Sequence, residues 1–156
     1  MKITKILIAI DDSNIAEHAA AYGFDIARKF DAKVGLVNIV EPAMLPPISS
    51  TADPIMGFPV EGTALESVEL LDIQKNRSED IINQNIQKLG VGLEVTHFNE
   101  FGATVDGIIK CGKEVGADLI VIGTHSRTGL DRFLMGSVSE HVIRHSEIPV
   151  LVVPFK

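Results

Sequence analysis

Short apolar runs recur along this chain, at intervals that leave room for a helix between one run and the next. Five of the runs predict β-strands, at residues 5–10, 33–39, 93–98, 118–122 and 150–153. Runs such as Ile6-Leu-Ile-Ala-Ile10 show no polar alternation, which is typical of strands buried on both faces of a parallel sheet. Such strands require helices on both sides of the sheet.

Helical periodicity predicts helices in the intervals between the strands. Ser13 is the expected N-cap of the first helix, which runs to about residue 30. The apolar stripe of this helix is predicted to be Ile15, Ala19, Tyr22, Ile26 and Phe30. The second helix, residues 63–89, begins with the capping-box sequence Thr63-Ala-Leu-Glu66. The remaining two are expected over residues 104–115, with Thr104 as the cap, and over residues 137–145.

Strands that alternate with helices predict an α/β fold. We expect a three-layer sandwich around a five-stranded, doubly wound parallel sheet, in a single domain that spans residues 1–156. The segment 41–62 carries five of the seven prolines and is predicted to be a long loop within that domain. Doubly wound sheets bind ligands beyond the carboxyl ends of their strands, where Asp11, Ile39 and Gly123 are expected to converge.

The overall charge and the cysteine content limit which partners and which cellular compartment are expected. A net charge of −7 argues against nucleic acid or an anionic membrane as the general partner, because both require a basic surface. The single cysteine, Cys111, excludes an intrachain disulfide, fits a reducing compartment and is predicted to be a buried core residue. No apolar run approaches the roughly 18 residues of a membrane span, so the expected location is the cytoplasm.

A glycine-rich segment joins the fourth predicted strand to the last helix. Gly123 and Gly129 punctuate it, and Gly136-Ser137 stands where the helix begins. Glycine admits close backbone approach, and the N–H groups at a helix start favour negative charge, so this segment is a candidate phosphate cradle. It is neither a Walker loop, since no Lys-Ser or Lys-Thr follows the second glycine, nor a closely spaced dinucleotide fingerprint. A purely structural role stays open, because Ser137-Val-Ser-Glu140 is itself a capping box.

This segment and the strand after it resemble the C-terminal signature of the universal stress protein family, at residues 123–130, 136–140 and 148–153. The first strand with Asp11 and Ser13, and residues 117–123 around the fourth strand, resemble the same family. The resemblance covers essentially the whole chain. It implies a Rossmann-like fold of the adenine nucleotide alpha hydrolase type, with ATP as the ligand.

The resemblance also implies a role for each matching residue. Asp11, with Ser13 beside it, matches the acidic residue that contacts the ribose hydroxyls, and Ile39 and Val40 match the place that holds adenine. The residues expected near the phosphates are Gly123, Thr124, Ser126, Arg127, Gly129, Gly136, Ser137, Val138 and Ser139.

Two positions depart from the ATP-binding pattern. Ser126 stands where those members have a glycine, which costs ~1 kcal/mol or more if the position needs a positive φ, and adds a hydroxyl donor if it only needs a small residue. Asp12 stands where many members have glycine. A second carboxylate repels a triphosphate, so Asp12 either points to solvent or marks a dependence on Mg²⁺ or Mn²⁺.

For function, the resemblance implies a regulatory or nucleotide-sensing module of the stress response, and a homodimer through the last strand, Val150–Val153. No residue is an obvious base for water, so any ATP hydrolysis is expected to be slow and incidental. The alternative is a family member without nucleotide that acts only as a dimeric protein-interaction module. A two-component receiver domain needs an aspartate at the end of its third strand and a lysine after its fifth strand. This interpretation is rejected, because the available strand ends offer no such aspartate and only the terminal Lys156 follows the fifth strand.

Overall fold

Strands and helices alternate along the parts of the chain that the computed structural model describes, which are residues 2–41, 63–125 and 136–155. The side chains of residues 63–68 and of residue 125 lie outside this description. The predicted alternation is confirmed. The elements are β1 (Lys5–Ala9), α1 (Asn14–Phe30), β2 (Lys33–Val40), α2 (Thr63–Leu89), β3 (Val95–Phe101), α3 (Thr104–Val115), β4 (Leu119–His125), α4 (Ser137–His145) and β5 (Val150–Phe155).

The five strands form one sheet in the order β3-β2-β1-β4-β5, and every neighbouring pair is parallel. This confirms the doubly wound parallel sheet that the sequence predicts. β1 lies at the centre, and its residues Ile6, Leu7 and Ile8 are fully buried. The strand order changes direction between β1 and β4, so the crevice of this fold opens at their carboxyl ends.

Helices cover both faces of the sheet. Ile6 and Ile8 belong to an apolar cluster with α1 and α2, whereas Leu7 points to the opposite face and belongs to a cluster with α3 and α4. The alternation follows from the pleat of a strand, which directs successive side chains to opposite faces. Within the described ranges, none of the helices is both long and apolar enough to cross a membrane.

The single cysteine lies in the cluster with α3 and α4. Cys111 is buried, and this burial raises the pKa of its thiol to about 12, with the nearby carboxylates of Glu100 and Glu114 acting in the same direction. The prediction of an inert core residue is therefore confirmed, since the thiol stays protonated at neutral pH.

The face of α1 that meets the sheet differs from the predicted apolar stripe. Tyr22 and Phe30 are each 51% exposed, so the predicted stripe is wrong at these positions. A Cβ atom added to Gly23 would lie only 2.6 Å from Cδ1 of Ile8, which shows how closely the helix approaches β1. Small residues permit that approach, and the buried residues of α1 are Ala16, Ala19, Ala20, Gly23, Phe24 and Ala27.

Three strands differ from their predicted bounds by two residues or more, and β1 and β2 differ by one residue at their carboxyl ends. β3 begins at Val95, two residues later than expected, and continues to Phe101 in register with β2. β4 does not end at residue 122: it continues through Gly123 and Thr124 to His125, because β5 also extends, to Phe155, and pairs with it. Gly123 and Thr124 therefore belong to a strand and not to the loop where the sequence pattern placed them.

The starts of α1 and α3 are capped in different ways. Ser13 caps α1 as predicted, since its Oγ accepts the N–H of Ala16 at 3.1 Å. The prediction that Thr104 caps α3 is wrong, because Ala103 is the N-cap and Thr104 is the first helical residue. The N–H and hydroxyl of Thr104 donate instead to the carboxylate of Glu41, at 3.1 and 2.5 Å, and these bonds lower the pKa of Glu41.

The start of β1 is fastened to the turn before β4 by one carboxylate. Oδ2 of Asp118 accepts the N–H of Thr4 at 2.7 Å, the hydroxyl of Thr4 at 2.8 Å and the N–H of Lys5 at 3.0 Å. These hydrogen bonds favour the ionised form and lower the pKa of Asp118. The central strand is thus anchored at its amino end by a charge-assisted contact.

We predict that Asp118→Asn lowers the free energy of unfolding at pH 7 by about 1 kcal/mol, because the neutral amide oxygen that replaces Oδ2 is a weaker acceptor for the three donors. Since the folded pKa is lowered, this stabilisation is present above the ordinary aspartate pKa of about 3.9 and is lost as pH falls through the folded value. Urea unfolding at several pH values measures the difference, which should shrink in acid. Asp25→Asn, which removes only an exposed ion pair with Arg28, is the control, and equal losses for both variants would contradict the prediction.

Candidate functional site

A cleft of about 230 Å³ opens at the carboxyl ends of β1, β2 and β4. One wall is polar and contains Asp11, Ser13 and Thr104, and Gly123 of β4 and Val138 of α4 border the other side. The floor is apolar and includes Val37, Ile39, Ile108 and Ile122. The cleft therefore joins the segments that the sequence analysis expected to converge.

Asp11 occupies the turn between β1 and α1. Its Oδ1 accepts the N–H of Ser13 at 2.8 Å, and Ser13 in turn caps α1. The carboxylate is exposed and lines the cleft, and no bond to its Oδ2 is found among the described residues. One oxygen of Asp11 thus shapes the turn, and the other has no partner within the part of the chain that the structure describes.

Asp12 does not belong to the lining of this cleft. Its carboxylate forms an ion pair with Arg77 of α2, and both side chains are largely exposed. Of the two interpretations of Asp12, the geometry favours the one in which it points towards solvent. Within the described ranges, no group of three or more His, Cys, Asp or Glu residues is placed to hold a metal ion.

Gly123 is required by the packing of β4 against α1. A Cβ atom at this position would lie 2.8 Å from the carbonyl oxygen of Ile15 and 2.8 Å from its Cγ2. Backbone atoms in the first turn of a helix cannot move aside cheaply. The glycine that the sequence analysis assigned to a phosphate loop therefore has a structural reason of its own.

The side chains of Thr124 and Ser139 hold the end of β4 to the start of α4. Thr124 Oγ1 accepts the N–H of Gly136 at 3.1 Å, and Ser139 Oγ donates to the carbonyl of Gly136 at 2.8 Å. Ser139 Oγ also lies 3.3 Å from Thr124 Oγ1, and both side chains are buried. Their hydroxyl groups are thus engaged in fixing the point where the chain returns at Gly136.

The predicted capping role of Ser137 is wrong. Gly136 is the N-cap of α4, since its carbonyl accepts the N–H of Glu140 at 3.0 Å, and Ser137 is the first helical residue. The Glu140 carboxylate pairs with Arg144 instead of closing a capping box. An α-helix leaves its first N–H groups without an intrahelical acceptor, so those of residues 137–139 remain as donors at the border of the cleft.

Of the two residues expected around adenine, only Ile39 is among the lining residues of the cleft. Ile39 lines the cleft, whereas Val40 is buried and its carbonyl accepts the N–H of Gly102 at 3.1 Å. Three of the residues expected near the phosphates, Ser126, Arg127 and Gly129, lie outside the described residues, as does most of the proline-rich segment 41–62.

Sequence reasoning missed two groups of residues around the cleft. Glu41 fixes Thr104 at the polar wall, and no local pattern signals a contact between residues so far apart in sequence. Asn38 is the second case, and here a signal exists, since it is the one polar residue in the run Val37-Asn-Ile-Val40. A polar side chain in a strand buried on both faces indicates a buried hydrogen bond.

Comparison with known proteins decides the family. The sequence model of the universal stress protein family matches residues 2–154. The chain belongs to this family. A universal stress protein of Methanocaldococcus jannaschii is 33% identical to it over 149 residues, which cover 96% of this chain and 81% of that one.

Solved structures of universal stress proteins share the fold. One in complex with cAMP has a TM-score of 0.68 at 20% identity, and the match covers 98% of each chain. Another, from Arabidopsis thaliana with AMP bound, has a TM-score of 0.65 at 20% identity and covers 98% of this chain and 92% of that chain. Both likenesses support the Rossmann-like architecture of this universal stress protein.

We predict that Gly123→Ala destabilises this universal stress protein by about 2–3 kcal/mol, because the added methyl group meets the backbone of Ile15. Gly136→Ala is the matched control. Its Cβ atom would be 3.4 Å from Thr124 Oγ1, an ordinary contact, so the loss should stay below about 1 kcal/mol. Thermal or urea unfolding measures both variants, and an equal loss would show that close packing does not require glycine at position 123.

Proposed function

We propose that this universal stress protein binds ATP in the cleft at the carboxyl ends of β1, β2 and β4, and acts as a nucleotide-sensing regulatory module in the cytoplasm. The observation that carries the proposal is the combination in one cleft of an apolar floor, an accessible Asp11 oxygen and the N-terminus of α4. These are the three environments that a base, a ribose and a phosphate chain require.

The described residues fit the parts of an adenine nucleotide. Adenine would lie against Ile39 on the apolar floor. We propose a backbone contact from Val40 as well, although Val40 is not part of the described lining and its carbonyl already accepts the N–H of Gly102. The Oδ2 oxygen of Asp11, beside Ser13, would accept hydrogen bonds from the ribose hydroxyls, a role that suits a carboxylate. The phosphates would lie at the N–H groups of Ser137, Val138 and Ser139, near Gly123, Thr124 and Gly136, and we propose Ser126, Arg127 and Gly129 as further contacts.

The charges near the cleft are compatible with a bound triphosphate. Asp12 is paired with Arg77 and lies outside the lining, so it adds little repulsion. If Mg²⁺ or Mn²⁺ participates, it would arrive with the phosphates, because no set of three candidate ligands converges among the described residues. A cleft whose described lining contains one carboxylate can therefore accept an anion through backbone donors.

The ligands of structural neighbours support an adenine nucleotide as the class. The neighbours described above were solved with AMP and with cAMP, which share adenosine and a phosphate. Among the described lining residues Asp11 is the one ionisable group, and its position at the ribose does not suit a base for water. We therefore assign the nucleotide a sensing role, with hydrolysis slow and incidental.

A protein-interaction module without nucleotide is the second candidate. The observation that favours it is the structural role of three signature residues. Gly123 is explained by its packing on Ile15, and Thr124 and Ser139 by their bonds around Gly136. Binding measurements separate the two candidates.

We predict that Asp11→Asn weakens ATP binding roughly tenfold or more, because it removes the charge from the ribose contact but keeps an acceptor for the N–H of Ser13. Asp12→Asn, at the neighbouring position outside the cleft, is the matched control and should change the affinity less than about twofold. Isothermal titration with Mg-ATP measures both variants against the wild type.

The wild-type protein should itself carry or bind an adenine nucleotide. Adenine nucleotide should be released when the purified protein is denatured, or Mg-ATP should raise its melting temperature. If neither occurs, the nucleotide-free interaction module replaces the ATP sensor.

We further propose a homodimer through β5, which is an edge strand of the sheet. Because the N–H of Ile120 donates to the carbonyl of Pro149, alternate residues of β5 face β4, and the peptide groups of Val150 and Val152 face the open edge. Next to this edge, His18 lies edge-on to Tyr22 and to Phe155, with ring centroids 5.1 and 5.5 Å apart. A second β5 strand and a second aromatic cluster would cover both features.

We predict that Tyr22→Glu shifts the protein from dimer to monomer, because it places a charge beside the proposed interface without disturbing the core. Val91→Glu introduces the same charge at a side chain that is 73% exposed and distant from β5, and should leave the dimer intact. Light scattering at micromolar concentration gives the mass of each variant. A monomeric wild type, or a dimer for both variants, would contradict this interface.

A further inference from the structure

A buried hydrogen-bond network of polar side chains lies directly beneath the turn that contains Asp11. The N–H of Ile10 donates to the carbonyl of Val37 at 2.9 Å, and the carbonyl of Ile10 accepts Nδ2 of Asn38 at 2.7 Å. Both polar groups of Ile10 are thus bound to β2, one by its backbone and one by a buried side chain. The residue that follows Ile10 is Asp11, so its peptide starts from a fixed point.

Ser78 of α2 is the next member of this hydrogen-bond network. Its Oγ lies 2.6 Å from Oδ1 of Asn38 and 2.6 Å from Oδ1 of Asn99 on β3. A hydroxyl has one proton, and the bond to Ile10 fixes the orientation of the Asn38 amide, so Ser78 donates to Asn38. The amide of Asn99 must then present its NH₂ group to Ser78, which the exchange of its N and O atoms provides. In this arrangement the hydroxyl of Ser78 donates one bond and accepts one.

The residue next to Ser78 lies on the other side of the same turn. Arg77 pairs with Asp12, the residue that follows Asp11, but both side chains are largely exposed, so this ion pair contributes little to fixing the turn. The buried contact between α2 and the turn is the one that Ser78 makes through Asn38 and the carbonyl of Ile10. The Asp11 carboxylate itself is bound within the described structure only by the N–H of Ser13.

We infer that Ser78 and Asn38 are positioning residues for Asp11, so that the seating of α2 on the sheet sets the affinity of the cleft for a ribose-bearing nucleotide. This inference rests on the proposed function for its ligand, but its structural part concerns the Asp11 turn alone. Ser78 is buried, and loss of its hydroxyl would leave the oxygen of Asn38 without a donor in a low-dielectric environment. Asn38 would then reorient and release the carbonyl of Ile10.

The first test uses the protein without nucleotide. Ser78→Ala should increase hydrogen exchange at the Ser13 amide about tenfold, because that amide donates to Asp11. Ser146→Ala is the matched control, since Ser146 also makes two hydrogen bonds, both to Ile148, at the opposite end of the sheet. Unchanged exchange at Ser13 in Ser78→Ala, or an equal increase in Ser146→Ala, would overturn the inference.

The second test measures ATP affinity in a double-mutant cycle. Ser78→Ala should raise the Kd for ATP about tenfold in the wild-type background and have no further effect in an Asp11→Ala background. It should not change the Kd for 2′,3′-dideoxy-ATP, which lacks both ribose hydroxyls. Additive effects, or equal losses for the two ligands, would show that Ser78 acts on the fold and not through Asp11.

The outcomes separate this inference from the proposed function. If the wild type does not bind ATP, the proposed function fails, and the exchange at Ser13 decides the positioning role alone. If Ser78→Ala does not fold, Ser78→Cys takes its place, since a thiol fills similar space but donates a much weaker hydrogen bond to Asn38. That variant should raise the exchange at Ser13 about threefold, and no change would overturn the inference.

Discussion

The confinement of β1 is the constraint on which the rest of the structure depends. This strand has neighbours on both edges and helices on both faces, and Ile6, Leu7 and Ile8 are fully buried. Burial of a large aliphatic side chain contributes about 1.5–3 kcal/mol, so these residues fix the strand firmly. Only the two ends of β1 are not enclosed by neighbouring strands or helices. At the amino end Asp118 holds it, and at the carboxyl end it emerges at Asp11, in the crevice where the strand order changes direction.

The fold was predictable because its main signal is local. Apolar runs without alternation identify strands buried on both faces, and their spacing identifies the helices between them. The face of α1 was not predictable in this way, because hydrophobicity favours large residues such as Tyr22, whereas the distance to β1 admits only small ones such as Gly23. The end of β4 was missed for a related reason. Gly123 suggested a loop, but glycine is required at this position because α1 packs closely against it at Ile15, more than one hundred positions away in sequence.

The candidate site likewise contains features with a local sequence signal and features that depend on contacts between distant segments. The sequence predicted the cap at Ser13, and the structure adds a local turn in which Asp11 accepts the N–H of Ser13. Other contacts around the cleft join distant segments: Glu41 binds Thr104, and Ser78 binds Asn38. Such pairs leave no periodic signal, although a lone asparagine in an apolar strand is a recognisable trace. At α4, Gly136 and not Ser137 is the cap, because the hydroxyl groups of Thr124 and Ser139 fix the chain at Gly136.

The buried thiol has a consequence for the signals to which a stress protein of this kind can respond. Oxidants such as peroxides react with thiolates, and with a pKa of about 12 the thiolate fraction of Cys111 at neutral pH is on the order of one in 10⁵. Burial also denies a bulky oxidant access to the sulfur. Since Cys111 is the only cysteine of the chain, thiol oxidation is a poor direct signal for this protein, and a thiol-based response to oxidants would require a second molecule.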